Sequence, residues 1–437
     1  MGDKTNNIKS DSSRRTFLKK SGIVLVGSSI TYPVGLYAST KTTKDTVLKV
    51  GLIGCGGRGT GAASQALHAD PNVVLTAMGD VFEDRLEGSL TELAKIKPDQ
   101  LKVDKAHKFV GFDAYQKVID SGVDVVLLTT PPAFRPDHLI AAIKADKHVF
   151  CEKPVAVDAP GIRKVLEAAK QAKAKNLSVV SGFCYRHDLM NRAIMGRVSN
   201  GDIGEIRSVT AFRHGGELWY KDRQPEWTEM THQMRNWYYY NWLSGDFIVE
   251  QSVHSCDLIS WSMADEMPIK AVGTGGRQVR VHEKYGNIYD HFAVEYEYAN
   301  GSKSYLFTRQ QANTKGRNTL EVFGTEGCAQ LNLYGKARMT GKSAWEYRGE
   351  KNDMFQAEHD QLFAAIRSGN AINDGEKMAN STMMAILART AGYTGQEIGW
   401  EEALHSNESM GPNFEEYHWN HEYKMPPVAV PGKTKFI

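Results

Sequence analysis

Two stretches of this sequence carry residue types in spacings that do chemistry. Gly54-Cys55-Gly56-Gly57-Arg58-Gly59 is a GxGxxG. The first glycine of such a stretch allows a tight turn, the second lets the backbone approach a pyrophosphate, and the third lets a helix pack closely on a strand. The chemistry implied is dinucleotide binding, with Gly57 and Arg58 as further loop contacts. Asp80, 21 residues after Gly59, is placed to accept hydrogen bonds from ribose hydroxyls. Its carboxylate would repel a 2′-phosphate, so NAD is favoured over NADP; Arg58, which could reach a phosphate, argues the other way. Far downstream, Glu250, His254 and Asp257 stand four and three residues apart, a spacing that puts them on one helical face. His254 suits a general base, because an unperturbed imidazole titrates near neutral pH. The plainer alternatives are a satisfied core histidine and, for Asp257, a structural partner to it.

These groups need a scaffold, and the pattern around them supplies one. Residues 47–53 (VLKVGLI) form an apolar, β-branched run that reads as a buried parallel strand, and residues 60–69 as the helix after the glycine loop. The N-terminus of that helix presents N–H groups to phosphates. Further strands are expected at residues 73–78, 123–128, 148–150 and 177–182, with a helix over 138–144. Strand ends face the ligand crevice in open parallel sheets, which marks Thr130 and Pro131 after the run 123–128 and Glu152 and Lys153 after the run 148–150. From Ile206 onward the pattern changes to alternation. Phe292, Val294, Tyr296 and Tyr298 share one side, and Asn300-Gly301 reads as a hairpin turn into 303–309. Residues 319–323 and 329–333 flank a second turn, and 355–368 and 374–395 read as helices. The expected fold is α/β: an N-terminal Rossmann domain over 47–182, then an α/β domain with a mainly antiparallel sheet over 183–437.

At Glu152-Lys153-Pro154 the chain resembles the glucose–fructose oxidoreductase/inositol dehydrogenase (Gfo/Idh/MocA) family, over roughly residues 47–405. The resemblance rests on that tripeptide placed after the GxGxxG, Asp80 and the Thr-Thr-Pro-Pro strand end. It implies that Lys153 sits beside the nicotinamide and the reacting hydroxyl. There its proton would be disfavoured by the cationic ring, and it could take part in proton transfer or hold the substrate oxygen. The family's second signature, an acidic residue followed four positions later by His, falls on Glu250 and His254, although Asp is commoner at the first position. Resemblance also places Tyr185 and Arg186 at the border of the active site, and implies an open C-terminal sheet used for homo-oligomer contact.

Residues 213–242 carry four tryptophans and four tyrosines interleaved with Arg213, His214, Lys221, Arg223 and Arg235. Rings with polar edges suit a sugar, so Arg235 and Trp237 are expected at a carbohydrate site, with ordinary packing as the alternative. The implied activity is hydride transfer between a sugar hydroxyl or ketone and a nicotinamide cofactor. A redox-neutral glycoside cleavage through a transient keto-sugar is the runner-up, and a non-enzymatic sensor built on the fold is a third reading.

Composition narrows the setting. Residues 1–46 hold 8 Lys/Arg against 3 Asp/Glu, so they carry +5 of a chain whose total is +2, and the remainder is −3. That balance gives no reason to expect nucleic acid. The five cysteines form no CxxC pair and suggest neither a metal site nor a disulfide framework. Ser13-Arg14-Arg15-Thr16-Phe17-Leu18-Lys19, followed by an apolar stretch over 22–36, reads as a twin-arginine export signal, with an uncleaved anchor or a basic tail as alternatives. No stable membrane span is expected, since the stretch is too short. A folded protein delivered to the periplasm finds no free dinucleotide pool, so the cofactor is expected to be tightly bound before export.

Overall fold

Val50, Leu52 and Ile53 are buried because the first strand is covered on both faces, as a parallel sheet between helices requires. The computed structural model describes residues 45–436; the arginine pair and its apolar stretch lie outside them. Six strands, β1 (Leu48–Ile53), β2 (Val73–Asp80), β3 (Lys108–Val110), β4 (Val125–Leu128), β5 (His148–Cys151) and β6 (Val179–Ser181), form one sheet in the order β3-β2-β1-β4-β5-β6. Every neighbouring pair is parallel. Strand order reverses between β1 and β4, and the crevice at their carboxyl ends is where such sheets take ligands. The helix after the glycine loop begins earlier than the apolar pattern suggests, at Gly57, and runs to Ala69. Of the strands, β3 escapes the hydrophobic pattern because its residues are half-buried or exposed.

The second sheet has nine strands: β7 (Ile206–Gly215), β8 (Lys270–Gly276), β9 (His291–Glu297), β10 (Lys303–Gln310), β11 (Arg317–Gly324), β12 (Gly327–Asn332), β13 (Ala337–Gly341), β14 (Trp345–Glu346) and β15 (Ile398–Gly399). Their order is β14-β13-β12-β11-β7-β10-β9-β8-β15. All pairs are antiparallel except β7 with β10. The alternation read over 292–298 is borne out: Phe292, Val294 and Tyr296 are buried while their neighbours are half-exposed. That buried face packs on the helices Val253–Ser262 and Gly375–Thr394. The opposite face is open, with Phe212 stacked on Phe307 at 5.2 Å and Arg317 lying 3.5 Å over Phe212.

The chain does not leave the first sheet behind at residue 182. The helix Met354–Ser368 returns to it, and Leu362, Phe363 and Ile366 join Val50, Leu52, Leu75 and Phe150 in one core. Among the described residues no helix is long and apolar enough to cross a membrane, and no group of His, Cys, Asp or Glu is placed to hold a metal ion.

Candidate active site

The glycine loop has the conformation its sequence demands. Gly54 sits at φ +95°, and a Cβ there would lie 2.7 Å from the Thr130 nitrogen. A Cβ on Gly59 would lie 1.9 Å from the Gly54 oxygen, so only glycine lets the helix start so close to the strand end. Gly57, by contrast, faces open space. The loop forms one wall of a groove of about 620 Å³, lined also by Asp80, Phe82, Arg85, Phe112, Thr130, Pro131 and His138. A polar loop with exposed backbone at a helix N-terminus, in a groove of this size, fits the pyrophosphate and adenosine of a nicotinamide dinucleotide. Asp80 stands at the end of β2 and accepts N–H bonds from Cys55 (2.6 Å) and Phe82 (2.9 Å), which fix its carboxylate at the groove wall. Burial raises its pKa despite those bonds.

Arg58 does not serve as the phosphate contact its position suggests. Its Nε donates to Glu152 at 2.5 Å, its Nη2 reaches the fully buried Glu358 at 3.3 Å, and its guanidinium stacks over Phe355. The partner Glu358 comes from the returning helix, 300 residues away, which no local pattern could reveal. Arg58 and Glu152 therefore tie the glycine loop to the end of β5, while the one-third-exposed Arg58 side chain still lines the groove. Burial beside the Glu152 carboxylate drives the Glu358 acid well above the usual carboxylate range.

Lys153 leaves the end of β5 and donates to the Glu250 carbonyl at 2.8 Å and to its carboxylate at 3.1 Å. Both side chains are about nine-tenths buried, with 13% and 10% exposure. Glu250 also accepts from the Gln251 amide at 2.7 Å. His254 packs between two rings, edge-on to Phe183 at 5.9 Å and tilted against Tyr185 at 4.8 Å. Its Nδ1 is buried with no partner among the described residues. Burial, then the charges of Lys153 and Arg213, hold its pKa well below the usual imidazole value. The ring is neutral at pH 7, the form a general base needs.

Glu250 and His254 do not share one helix. A short helix, Phe247–Glu250, is capped by Asp246, and a second, Val253–Ser262, starts after a break in which Ser252 bonds Thr308 of β10 at 2.6 Å. The break sends Glu250 to Lys153 and His254 to Tyr185. Asp257 and Arg186 leave the expected site altogether. Arg186 Nε binds both oxygens of Asp257 (2.9 and 3.0 Å), and its Nη2 binds Asp265 at 2.7 Å. Ser381 completes the Asp257 shell. With the Asp257 carboxylate and the Nε and Nη2 donors of Arg186 committed, this cluster clamps the helix Val253–Ser262 from behind, a structural use of both residues. Tyr185 stays at the site: its hydroxyl meets Tyr334 and accepts from Asn318, both at 3.1 Å.

The aromatic insertion is divided by burial. Tyr238, Tyr239, Tyr240 and Trp242 are core residues. Trp237 lines the dinucleotide groove together with Trp219, Tyr220 and Lys221, not a separate sugar pocket. Arg235 likewise faces the groove rim: it forms a two-pronged pair with Asp84, both contacts 2.7 Å, and lies 3.8 Å over the Phe82 ring. The C-terminal segment joins them, with Trp419 against Phe82 (5.2 Å) and Phe112 (4.7 Å) and Tyr417 against Phe134 (5.1 Å). Sequence reasoning did not find this second wall, since nothing local says that residues 417–419 return to β2.

A Rossmann sheet with a glycine-loop groove, and a lysine–carboxylate pair just past its fifth strand whose charge reaches a neutral histidine, defines a nicotinamide-dinucleotide-dependent oxidoreductase. The comparisons agree. Residues 48–181 match the model of the oxidoreductase family with an NAD-binding Rossmann fold, and residues 192–330 match the C-terminal domain of the same family. The chain belongs to the Gfo/Idh/MocA family. It is 27% identical over 284 residues to a myo-inositol 2-dehydrogenase of Thermotoga maritima, covering 64% of this chain and 74% of that one. It is 24% identical over 282 residues to an inositol 2-dehydrogenase of Rhizobium meliloti, with the same shares covered. Among solved structures it shares its fold with the aldose–aldose oxidoreductase of Caulobacter crescentus, at a TM-score of 0.64 and 17% identity, over 81% of this chain and 99% of that one.

Proposed function

We propose that the protein is a dehydrogenase of a sugar or cyclic polyol that works on one secondary hydroxyl with a firmly held NAD. The observation that carries this reading is the pairing of two protonation roles just past the fifth strand of the nucleotide sheet. Lys153 is held by Glu250 as a hydrogen-bond donor, and His254 is held neutral, close enough to feel that ammonium's charge. When bound, the nicotinamide supplies the hydride acceptor for the carbinol carbon. Lys153 Nζ orients the substrate oxygen by donating to it, and the His254 imidazole takes the hydroxyl proton as the ketone forms. In the reverse direction the same imidazole returns that proton. The inositol dehydrogenases among its relatives support a polyhydroxylated substrate.

Asp80 supports NAD over NADP, because a carboxylate at the groove wall opposes a 2′-phosphate. The covering of the groove by residues 219–237, braced by 417–419, supports tight retention. Retention in turn suits export through the twin-arginine pattern at residues 13–19 to the periplasm. The open aromatic face around Phe212 and Phe307 supports a homo-oligomer built on the second sheet. The test is mass spectrometry of the dinucleotide released on denaturation, followed by a substrate panel on the purified protein. NAD at near-equal stoichiometry, reduced on adding a sugar or inositol, is expected. Protein without dinucleotide that binds none when it is added, and no reduction by any polyol, would defeat the reading.

A further inference from the structure

The second sheet also approaches His254, through two of its residues. Arg213 of β7 stands directly opposite Asn318 of β11 in an antiparallel register, so their side chains emerge on the same face. It is the buried face, shared with Val209 and Ala211 and packed on the helix that carries His254. Asn318 donates to the Tyr185 hydroxyl, and Tyr185 packs on the His254 ring. Arg213 donates from Nη2 to the Gln251 carbonyl oxygen at 3.0 Å, and Gln251 donates in turn to the Glu250 carboxylate that holds Lys153. The two strand residues thus reach Lys153 and His254 by two separate paths, Arg213 through Gln251 and Glu250 and Asn318 through Tyr185.

What these residues leave unused is informative. Arg213 carries five N–H donors, and its Nε is buried with no acceptor among the described residues. Asn318 Oδ1, beside it, is a buried acceptor with no donor. Its one side-chain acceptor, Gln251, is neutral. The nearby acids are committed elsewhere: Glu250 to Lys153, Glu152 to Arg58, and Asp257 to Arg186. A guanidinium left without a counter-charge in a part-buried basin calls for an anion, and its planar fork matches a carboxylate. An orphan amide oxygen next to it calls for a hydroxyl.

We propose that the substrate is an acidic sugar, a polyhydroxy carboxylate such as a hexuronate, whose carboxylate is bound by Arg213 and a neighbouring hydroxyl by Asn318. This rests on the dehydrogenase reading above and names the substrate class of that same site. Arg213 is then the residue that separates acidic from neutral sugars, through an interaction worth about 10- to 100-fold in kcat/KM.

The experiment compares D-glucuronate and D-galacturonate with D-glucose, D-galactose and myo-inositol on the holoenzyme, following cofactor reduction. The acids are expected to exceed their neutral counterparts by at least about 10-fold. R213M should bring the ratio of kcat/KM for acids over neutral sugars down to about one, whatever it does to the rate common to both, and R213K should restore part of that ratio. Calorimetric binding of glucuronate to the wild-type holoenzyme, weakening as salt rises, gives a second readout that needs no variant. Turnover of neutral sugars with no preference for acids, or equal loss on both in a folded R213M, overturns the proposal and leaves the dehydrogenase reading intact. Binding of glucose as tight as that of glucuronate does the same. No turnover of any member of the panel defeats the dehydrogenase reading, and this inference with it.

Discussion

Replacing Arg235 by Ala should open the wall of the dinucleotide groove and speed cofactor release. Arg235 ends the helix Glu229–Arg235 and reaches across the rim to Asp84, in the first turn of the helix that follows β2. Its own side chain is 15% exposed but Asp84 is 59% exposed, so the ion pair is a surface-type pair despite its two 2.7 Å contacts. It contributes about 0.5–1 kcal/mol. The stacking of the guanidinium 3.8 Å above Phe82 adds about 1–1.5 kcal/mol, since the ring and the cation are both shielded. Together they hold the wall closed by about 2 kcal/mol, or roughly 30-fold in the closed-to-open ratio. The assay is a chase: holoenzyme carrying NADH is mixed with excess NAD and the loss of bound-cofactor fluorescence is followed. R235A should release NADH about 30-fold faster, and D84N, which leaves the stacking in place, about 3- to 5-fold faster. Release from R235A at the wild-type rate would show that the insertion does not gate the groove. An effect of D84N as large as that of R235A would show that the stacking contributes nothing.

Lys153→Met should lower turnover by about 100-fold or more while leaving cofactor binding in place, as read by steady-state kinetics and by dinucleotide content. It also strands the buried Glu250 carboxylate, so a fall in thermal midpoint is expected, and the double change with Glu250→Gln should recover part of it. Because His254 is held well below its ordinary pKa, the acid limb of kcat/KM should lie below pH 6, where an unperturbed imidazole would already be losing activity; a limb near pH 6.5 would show the ring to be solvated. Burial also lowers His138 to about 3 and His187 to about 4. Both depress the folded pKa of a base, so the unfolded chain binds more protons below about pH 6.5, and stability falls on acidification. Between pH 7 and pH 5 each loses about 2 kcal/mol, while Asp246, raised to about 6 by burial, returns about 1 kcal/mol. Denaturant titrations at the two pH values should show that net loss.

The first sheet was legible because each of its central strands is buried on both faces and therefore reads as an unbroken apolar run. The hairpin at Asn300-Gly301 was legible for the opposite reason, a clean alternation on each side of a turn. Gly54, Gly59, Asp80 and Lys153 were found because their roles depend on local backbone geometry and on strand ends. Arg58, Arg186 and Asp257 were misread for a common reason. Each is a charged residue at a site-like position whose partner lies 71 or more residues away, and only tertiary structure shows whether a charge is already spent. Arg235 and Trp237 were expected at a sugar site, and the structure sets them at the glycine-loop groove, a placement that depends on the tertiary contacts with Asp84 and Phe82. Arg213 stood out only as one of several cations beside the aromatic cluster, and Asn318 carried no signal, since an arginine in a strand and an asparagine after a turn are ordinary until their register is known.

The return of the helix Met354–Ser368 to the first sheet bears on how the protein comes into being. Leu362, Phe363 and Ile366 roof the same strands that present the glycine loop, and Glu358 holds the loop's arginine. A ribosome that has delivered the whole nucleotide-binding half has still not delivered its cover. The half cannot close until more than 170 further residues have emerged, including eight of the nine strands of the second sheet. Cofactor capture is therefore an event of the completed chain. A fragment cut where the family's first domain ends would leave bare the apolar face that those three residues protect.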